Sequence, residues 1–273
     1  MTILFQRMTE QGLISSSDPS KVWADWQGKN ERWLFMSPHD DDVVLGAGLT
    51  FIAGIESGVD TYAAVFSNGE MGYCSPEEKD TIAAIRKKEA QDSYAFMGLP
   101  AANLTQFAYN DSNLPHAIGR RFASDKSLPN YINGAVGIEN SMTWVIRKIK
   151  PSRIFVANRR DLHPDHQAVS YELMISIYHA QGAIWPELGE PIERIPNVYE
   201  YATYSDFIST PNMHVRVSDD LVEKRLQAVA LYKSQRQIDL IVNELKKVGG
   251  NEYLLETKFE IFNVKKYENI FNV

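Results

Sequence analysis

Short apolar runs that alternate with amphipathic helical patterns constrain this chain more than any other feature. The runs are Arg32–Ser37 (RWLFMS), Thr61–Phe66, Arg153–Asn158 (RIFVAN), Asn197–Tyr204 and Met213–Val217. Helical patterns cover 43–58, 76–98, 141–150, 163–180 and 218–235. Buried strands that each lead into a helix predict an α/β fold: a Rossmann-like, mostly parallel sheet with helices on both faces. Local signals agree. Ser75-Pro76-Glu77-Glu78 fits a capping box with proline at the first helical position, and His166, Val169, Leu173 and Ile177 share one stripe of the 163–180 helix. No internal repeat and no Gly/Ser/Pro linker divides the chain, so 1–273 reads as one domain. Within it, 1–30 reads as a polar, irregular N-terminal extension whose Trp23 and Trp26 are packing residues.

Charge narrows the partners. Lys and Arg total 28 against 35 Asp and Glu, a net charge of −7. That balance argues against a nucleic-acid backbone, whose binders carry a basic stripe, and against an anionic membrane surface as partner. The single cysteine, Cys74, cannot form an internal disulfide and has no His or Asp pattern beside it. The opening MTILFQRMTEQGLISSS lacks the basic start and apolar core of a secretory signal. The longest apolar stretch, 43–55, contains three glycines and falls short of the roughly 20 residues a membrane span needs. These features predict a cytoplasmic protein with no membrane span.

Two polar clusters follow strands. Ser37-Pro38-His39-Asp40-Asp41-Asp42 comes after the first run, and His163-Pro164-Asp165-His166 after RIFVAN. In doubly wound sheets, ligands bind beyond the carboxyl ends of the strands. Three consecutive carboxylates repel one another and resist desolvation unless a cation or hydrogen bonds compensate. His39 and Asp42 are three apart, so one helical turn aims both at a single point, with Asp41 beside it. His163 and His166 repeat that spacing. Singly, the first cluster reads equally well as an acidic helix start and the second as a proline turn. Together, at strand ends of one sheet, they point to a divalent metal. Imidazole with carboxylate suits zinc, with iron(II) or another divalent ion as the alternative. Two histidines, one carboxylate and an open position form a catalytic arrangement rather than a structural one. Gly46-Ala47-Gly48 lacks the third glycine of a dinucleotide fingerprint, and His116, His179 and His214 stand alone.

At these residues the chain resembles the PIG-L (LmbE-like) N-deacetylases, metal-dependent enzymes that remove acetyl groups from N-acetylglucosaminyl and related amides. Their first motif, His-Pro-Asp-Asp-Glu, is matched by His39, Asp41 and Asp42, and their His-x-Asp-His by His163, Asp165 and His166. Ser67–Gly72, Arg86 with Glu89, and Tyr232-Lys233-Ser234-Gln235 resemble weaker family elements, so the likeness runs from about 32 to 260. Two positions depart: Asp40 stands for the usual proline and Val43 for the usual glutamate. The resemblance implies that His39, Asp42 and His166 hold the metal. Asp41 would be the general base toward metal-bound water. His163 would stabilise the tetrahedral intermediate or protonate the leaving amine, with Asp165 orienting it. Arg86 and Asp111 would meet the sugar. The implied cofactor is Zn2+, with Fe2+ or another divalent metal as alternative, and the implied partner is a small N-acetylated amino sugar. A homo-oligomer is compatible with the sequence.

Two other functions stay open at this stage. Clustered Asp and His also build two-metal phosphoesterase sites, in which the spare Asp40 would take part. A carbohydrate-binding protein that has lost turnover is the third reading, favoured by Val43 and opposed by Asp41 and His163. Specificity is expected in the loops 109–133 and 182–196.

Overall fold

The run Arg32–Ser37 forms a strand whose alternate residues enter two different cores. Trp33 and Phe35 pack on one side of the sheet, Leu34 and Met36 on the other. A strand with no solvated face must be covered twice, and this dictates the layers around it. The computed structural model describes residues 2–258 and 262–271. Its first half runs β1 (Ile3–Thr9), β2 (Gly12–Ser16), β3 (Arg32–Ser37), α1 (Asp42–Gly46), α2 (Gly48–Glu56), β4 (Asp60–Ser67), α3 (Ile82–Met97) and β5 (Leu104–Tyr109). There follow β6 (Arg121–Phe122), β7 (Ala135–Val136), α4 (Ile138–Ile149), β8 (Arg153–Ala157) and α5 (Pro164–Gln181). The chain continues with β9 (Asn197–Tyr201), β10 (Met213–Val217), α6 (Asp219–Val229), α7 (Ile238–Val248) and β11 (Asn251–Thr257).

Nine strands form one sheet in the order β2-β1-β10-β11-β9-β8-β3-β4-β5. The segment β9-β8-β3-β4-β5 is parallel, and the remaining pairs are antiparallel. The sheet is therefore mixed, its parallel part ordered as in a Rossmann fold. Helices α1, α2, α3 and α6 cover one face with the core of Phe35, Phe51, Tyr94 and Leu226. Helices α4 and α5 cover the other with Met36, Met142, Val145 and Leu173. The strand order reverses between β3 and β8, a switch point where the carboxyl ends open a crevice. Both polar clusters sit on these two neighbouring strands. Among the described residues no helix is long and apolar enough to cross a membrane.

Three expectations need correction. Residues 1–30 are not an irregular extension: β1 pairs with β10, β2 with β1, and Trp23 is buried against Phe5, Trp33, Phe155 and Tyr199. The strand β11 was not anticipated. The 43–58 pattern is also not one helix, because it breaks at Ala47. Distant residues impose that break. The Arg225 guanidinium donates to the carbonyls of Val44 (3.1 Å) and Leu45, ending α1. The Glu252 carboxylate accepts the N–H groups of Leu49 (3.1 Å) and Thr50 (2.6 Å), capping α2. Gly46 makes the crossing feasible, since a Cβ there would lie 2.7 Å from the Tyr201 ring and 2.8 Å from the Ala202 carbonyl.

Candidate active site

The turn after β3 is tied by its own side chains. The backbone N–H of His39 donates to Oδ2 of Asp42 at 2.7 Å, so the His39 ring and the Asp42 carboxylate converge. Oδ2 of Asp42 lies 3.0 Å from Nδ1 of His39 and 3.0 Å from Nε2 of His166. Those two nitrogens are 3.2 Å apart. Three acceptor atoms at such distances repel unless protons or a cation lie between them. Ligands about 2.0–2.1 Å from one ion stand roughly 2.9–3.4 Å from each other, so the triangle fits one coordination sphere. Asp42 and His166 are fully buried, and Oδ1 of Asp42 has no hydrogen-bond partner among the described residues.

Electrostatics agree. Burial opposes charge on Asp42, yet the His166 and His39 imidazoles hold its carboxyl well below the usual carboxylate range. Burial opposes a charged His39, yet Asp42, Asp111 and Asp165 raise it well above an ordinary histidine. The crevice is built to hold positive charge. Two wider groups overlap the triangle: His39, His163 and His166, and His39, Asp111 and Asp165, each with ligand atoms within 4.8 Å of one another. The second group shares Nε2 of His39, which lies 3.2 Å from an oxygen of Asp111 and 3.2 Å from one of Asp165. A ligating imidazole donates its other N–H to carboxylates in this way, which fixes the ring and raises its basicity.

This overturns one sequence-level assignment. Asp165 orients His39, not His163: its carboxylate meets the His39 ring and accepts from the Leu114 N–H at 3.1 Å. His163 instead caps α5, its Nδ1 accepting the Asp165 N–H at 3.2 Å. Acceptance at Nδ1 assigns the proton of neutral His163 to Nε2. Burial, with the His39 and His166 charges, lowers the His163 imidazole below its ordinary value. Asp111 is also aimed at His39, by the N–H groups of Met71 (3.1 Å) and Ser112 (2.8 Å).

Sequence reasoning missed Asp161. It is fully buried, with Oδ1 3.4 Å from Nδ1 of His166 and 3.0 Å from the His163 N–H, and Oδ2 accepting from the Tyr204 N–H. The available signal was an acid two residues before His163, which makes the cluster Asp-x-His-Pro-Asp-His.

Asp41 stands beside the triangle on a different frame. Its Oδ2 accepts from Nη2 of Arg86 at 3.1 Å and from the Gln235 amide, leaving Oδ1 for chemistry. Arg86 is clamped in turn. Its Nη2 and Nε donate to Oδ1 of Asp40 at 2.7 and 3.2 Å, and its guanidinium lies over the Tyr232 ring at 5.2 Å. Tyr232 donates to the Asp40 carbonyl at 2.7 Å, and Ser234 donates from its hydroxyl (2.6 Å) and N–H (2.8 Å) to Glu89. The helix pair Arg86/Glu89 and the 232–235 segment are thus one brace around Asp41. Gly69, at φ +69, lets the chain pass over it: a Cβ would lie 3.1 Å from Cβ of Arg86 and 3.2 Å from Oδ1 of Asp40.

His39, Asp40, Asp41, Arg86, Asp111, His163 and Gln235 line a cleft of about 250 Å³ with Met71, Cys74, Ser112, Tyr204 and Gln237. Of the loop 109–133 only Asp111 and Ser112 reach it. The loop 182–196 contributes none of its lining and follows the C-terminal end of α5, where Arg147 binds its carbonyls. Its expected role in specificity fails because the 18 residues of α5 span about 27 Å. Tyr204 and Gln237 line the cleft instead and were not anticipated.

Known proteins resemble this chain in sequence and fold. The chain is 24% identical over 216 residues to a diacetylchitobiose deacetylase of Thermococcus kodakarensis, covering 75% of this chain and 70% of that protein. It is 29% identical over 140 residues to a probable N-acetyl-alpha-D-glucosaminyl L-malate deacetylase 2 of Bacillus cereus, a match spanning 50% of this chain and 56% of that protein's length. Among solved structures, N,N′-diacetylchitobiose deacetylase from Pyrococcus horikoshii superposes with a TM-score of 0.66 at 20% identity, over 90% of this chain and 92% of that one. The profile of the GlcNAc-PI de-N-acetylases matches residues 34–177, which carry both His/Asp clusters and exceed half the length, and the chain belongs to this PIG-L family.

Proposed function

We propose that this protein is a divalent-metal-dependent hydrolase that removes the N-acetyl group of an amino-sugar derivative. The observation that carries the reading is the buried His39–Asp42–His166 triangle, with edges of 3.0–3.2 Å, whose His39 lines one cleft with Asp41 and His163. Zinc is the preferred ion for this donor set, with iron(II) the alternative. When bound, such an ion supplies Lewis-acid polarisation of the amide carbonyl and lowers the pKa of water toward about 7.

The chain's own residues supply the proton transfers. Asp41, gripped at Oδ2, uses Oδ1 to take the proton of the attacking water. Nε2–H of His163 donates to the oxyanion that forms as the carbonyl carbon becomes tetrahedral. The proton held by Asp41 then passes to the nitrogen, since an amide is cleaved only if its leaving amine is protonated. Asp165 and Asp111 keep the His39 imidazole in one orientation and tautomer, and Asp161 sets a carboxylate 3.4 Å from Nδ1 of His166.

The same geometry disfavours a two-metal phosphoesterase, because Nε2 of His39 is already shared by Asp111 and Asp165 as a donor. The test is acetate release from a panel of N-acetylated amino sugars by the metal-loaded protein. Release from at least one, lost in Asp41→Asn, is the expected result. Hydrolysis of phosphate esters with no acetate release would overturn the reading.

A further inference from the structure

Among the described residues, Arg86 is the one Arg or Lys that lines the cleft. It is 5% exposed, and two carboxylates already grip it: Asp40 through Nε and Nη2, Asp41 through Nη2. Its Cζ lies over the ring of Tyr232, 5.2 Å from the centroid. Asp40 has no other hydrogen-bond duty for its side chain, since Oδ2 is buried without a partner and Tyr232 bonds to its backbone carbonyl. Asp40 and Asp41 thereby occupy Nε and Nη2 of the one guanidinium, and Asp111, paired with His39 at 3.2 Å, adds a further carboxylate across the cleft.

We infer that the cleft takes a neutral N-acetylated amino sugar and rejects phosphorylated or carboxylated conjugates, because Asp40 and Asp41 already engage the one cation that would otherwise receive an anion. This rests on the deacetylase reading. An anionic group entering here meets these carboxylates and a guanidinium already engaged at Nε and Nη2, which costs affinity. The hydroxyls of a neutral sugar instead find a carboxylate acceptor on Asp111 and an amide on Gln237. Asp40 is thus a specificity-determining and positioning residue that acts through Arg86.

The full-length metal-loaded protein is assayed on N,N′-diacetylchitobiose and on N-acetylglucosamine 1-phosphate, and titrated calorimetrically with inorganic phosphate. Arg86→Gln and Asp40→Asn are run alongside. Wild type should favour the neutral sugar in kcat/KM by about tenfold or more, and Arg86→Gln should leave phosphate affinity unchanged. Asp40→Asn should cut the preference about tenfold and gain phosphate binding that the added Arg86→Gln change removes. Asp40→Ser repeats the test if Asp40→Asn does not fold, and the wild-type comparison with Arg86→Gln needs neither. Equal or better turnover of the phosphorylated sugar, or wild-type phosphate binding that Arg86→Gln abolishes, overturns the inference. Failure to release acetate from any sugar, with the phosphate titrations as expected, sinks the deacetylase reading and leaves the charge assignment standing.

Discussion

The two ends of α5 each bury a polar cluster, and they differ in what is left unsatisfied. At the C-terminal end, Arg147 donates to the carbonyls of Ala180, Trp185, Gly189, His179, Gly182 and Ile184 at 2.7–3.2 Å. Every nitrogen of that guanidinium has a partner, and the cluster closes on itself. At the N-terminal end, two imidazole nitrogens and a carboxylate oxygen crowd within 3.2 Å, while Oδ1 of Asp42 and Oδ2 of Asp40 have no partner among the described residues. Both ends bury charge. A satisfied network is a clamp, whereas one with spare acceptors aimed at a common point is a site.

The sharpest way to break this contrast is to remove chemistry from one end without touching its packing. Asp41→Asn keeps the hydrogen bonds to Arg86 and Gln235 at the amide oxygen and removes the base. Steady-state assays should show kcat lower by roughly two to four decades, with metal content and Tm near wild type. Loss of metal in this variant would exchange the roles of Asp41 and Asp42. His163→Ala should fall in the same range, and the double variant should lose less than the sum, because both groups act on one transition state.

The clamp should respond in the opposite sense. Arg147→Met leaves buried carbonyls without donors and should cost about 3 kcal/mol of stability in urea unfolding. Activity per folded molecule and metal content should not move. A matching fall in kcat would show that the two ends are coupled through α5.

How much of this was legible in the sequence follows from how local each interaction is. The strands β3 and β8 were legible because they are continuous apolar runs, and the clusters behind them because their chemistry is contiguous. His39 and His166 are 127 residues apart, yet each is marked by its own neighbours. The break at Ala47 was not legible, since Arg225 and Glu252 impose it from about two hundred residues away. The strand β2 is an exposed edge strand, its neighbour β1 is only half-buried, and β11 carries a mixed pattern, so their pairing partners rather than their side chains decide them. Asp165 was assigned to the wrong histidine because sequence adjacency to His163 says nothing about where a carboxylate on the first turn of a helix points. The expectation for Arg86 was incomplete for a related reason: its engagement by Asp40 depends on α3 lying over the β3 turn.

A smaller effect probes the brace around Asp41. Ser234→Ala removes the hydroxyl bond to Glu89 and loosens Gln235, and should lower kcat about tenfold with KM little changed. Glu89→Gln, which can still accept one of the two hydrogen bonds, should lose less. An unchanged kcat in both would mean that Arg86 alone suffices to hold Asp41.

The claim on which the account turns is that the buried triangle is one metal site. Elemental analysis of the purified protein, with Asp42→Ala, His166→Ala and Asp41→Asn measured in parallel, tests it most directly. The account predicts one divalent ion per chain in wild type and in Asp41→Asn, and loss of that ion in Asp42→Ala and His166→Ala. Full occupancy in Asp42→Ala, or a second ion per chain in wild type, would contradict it.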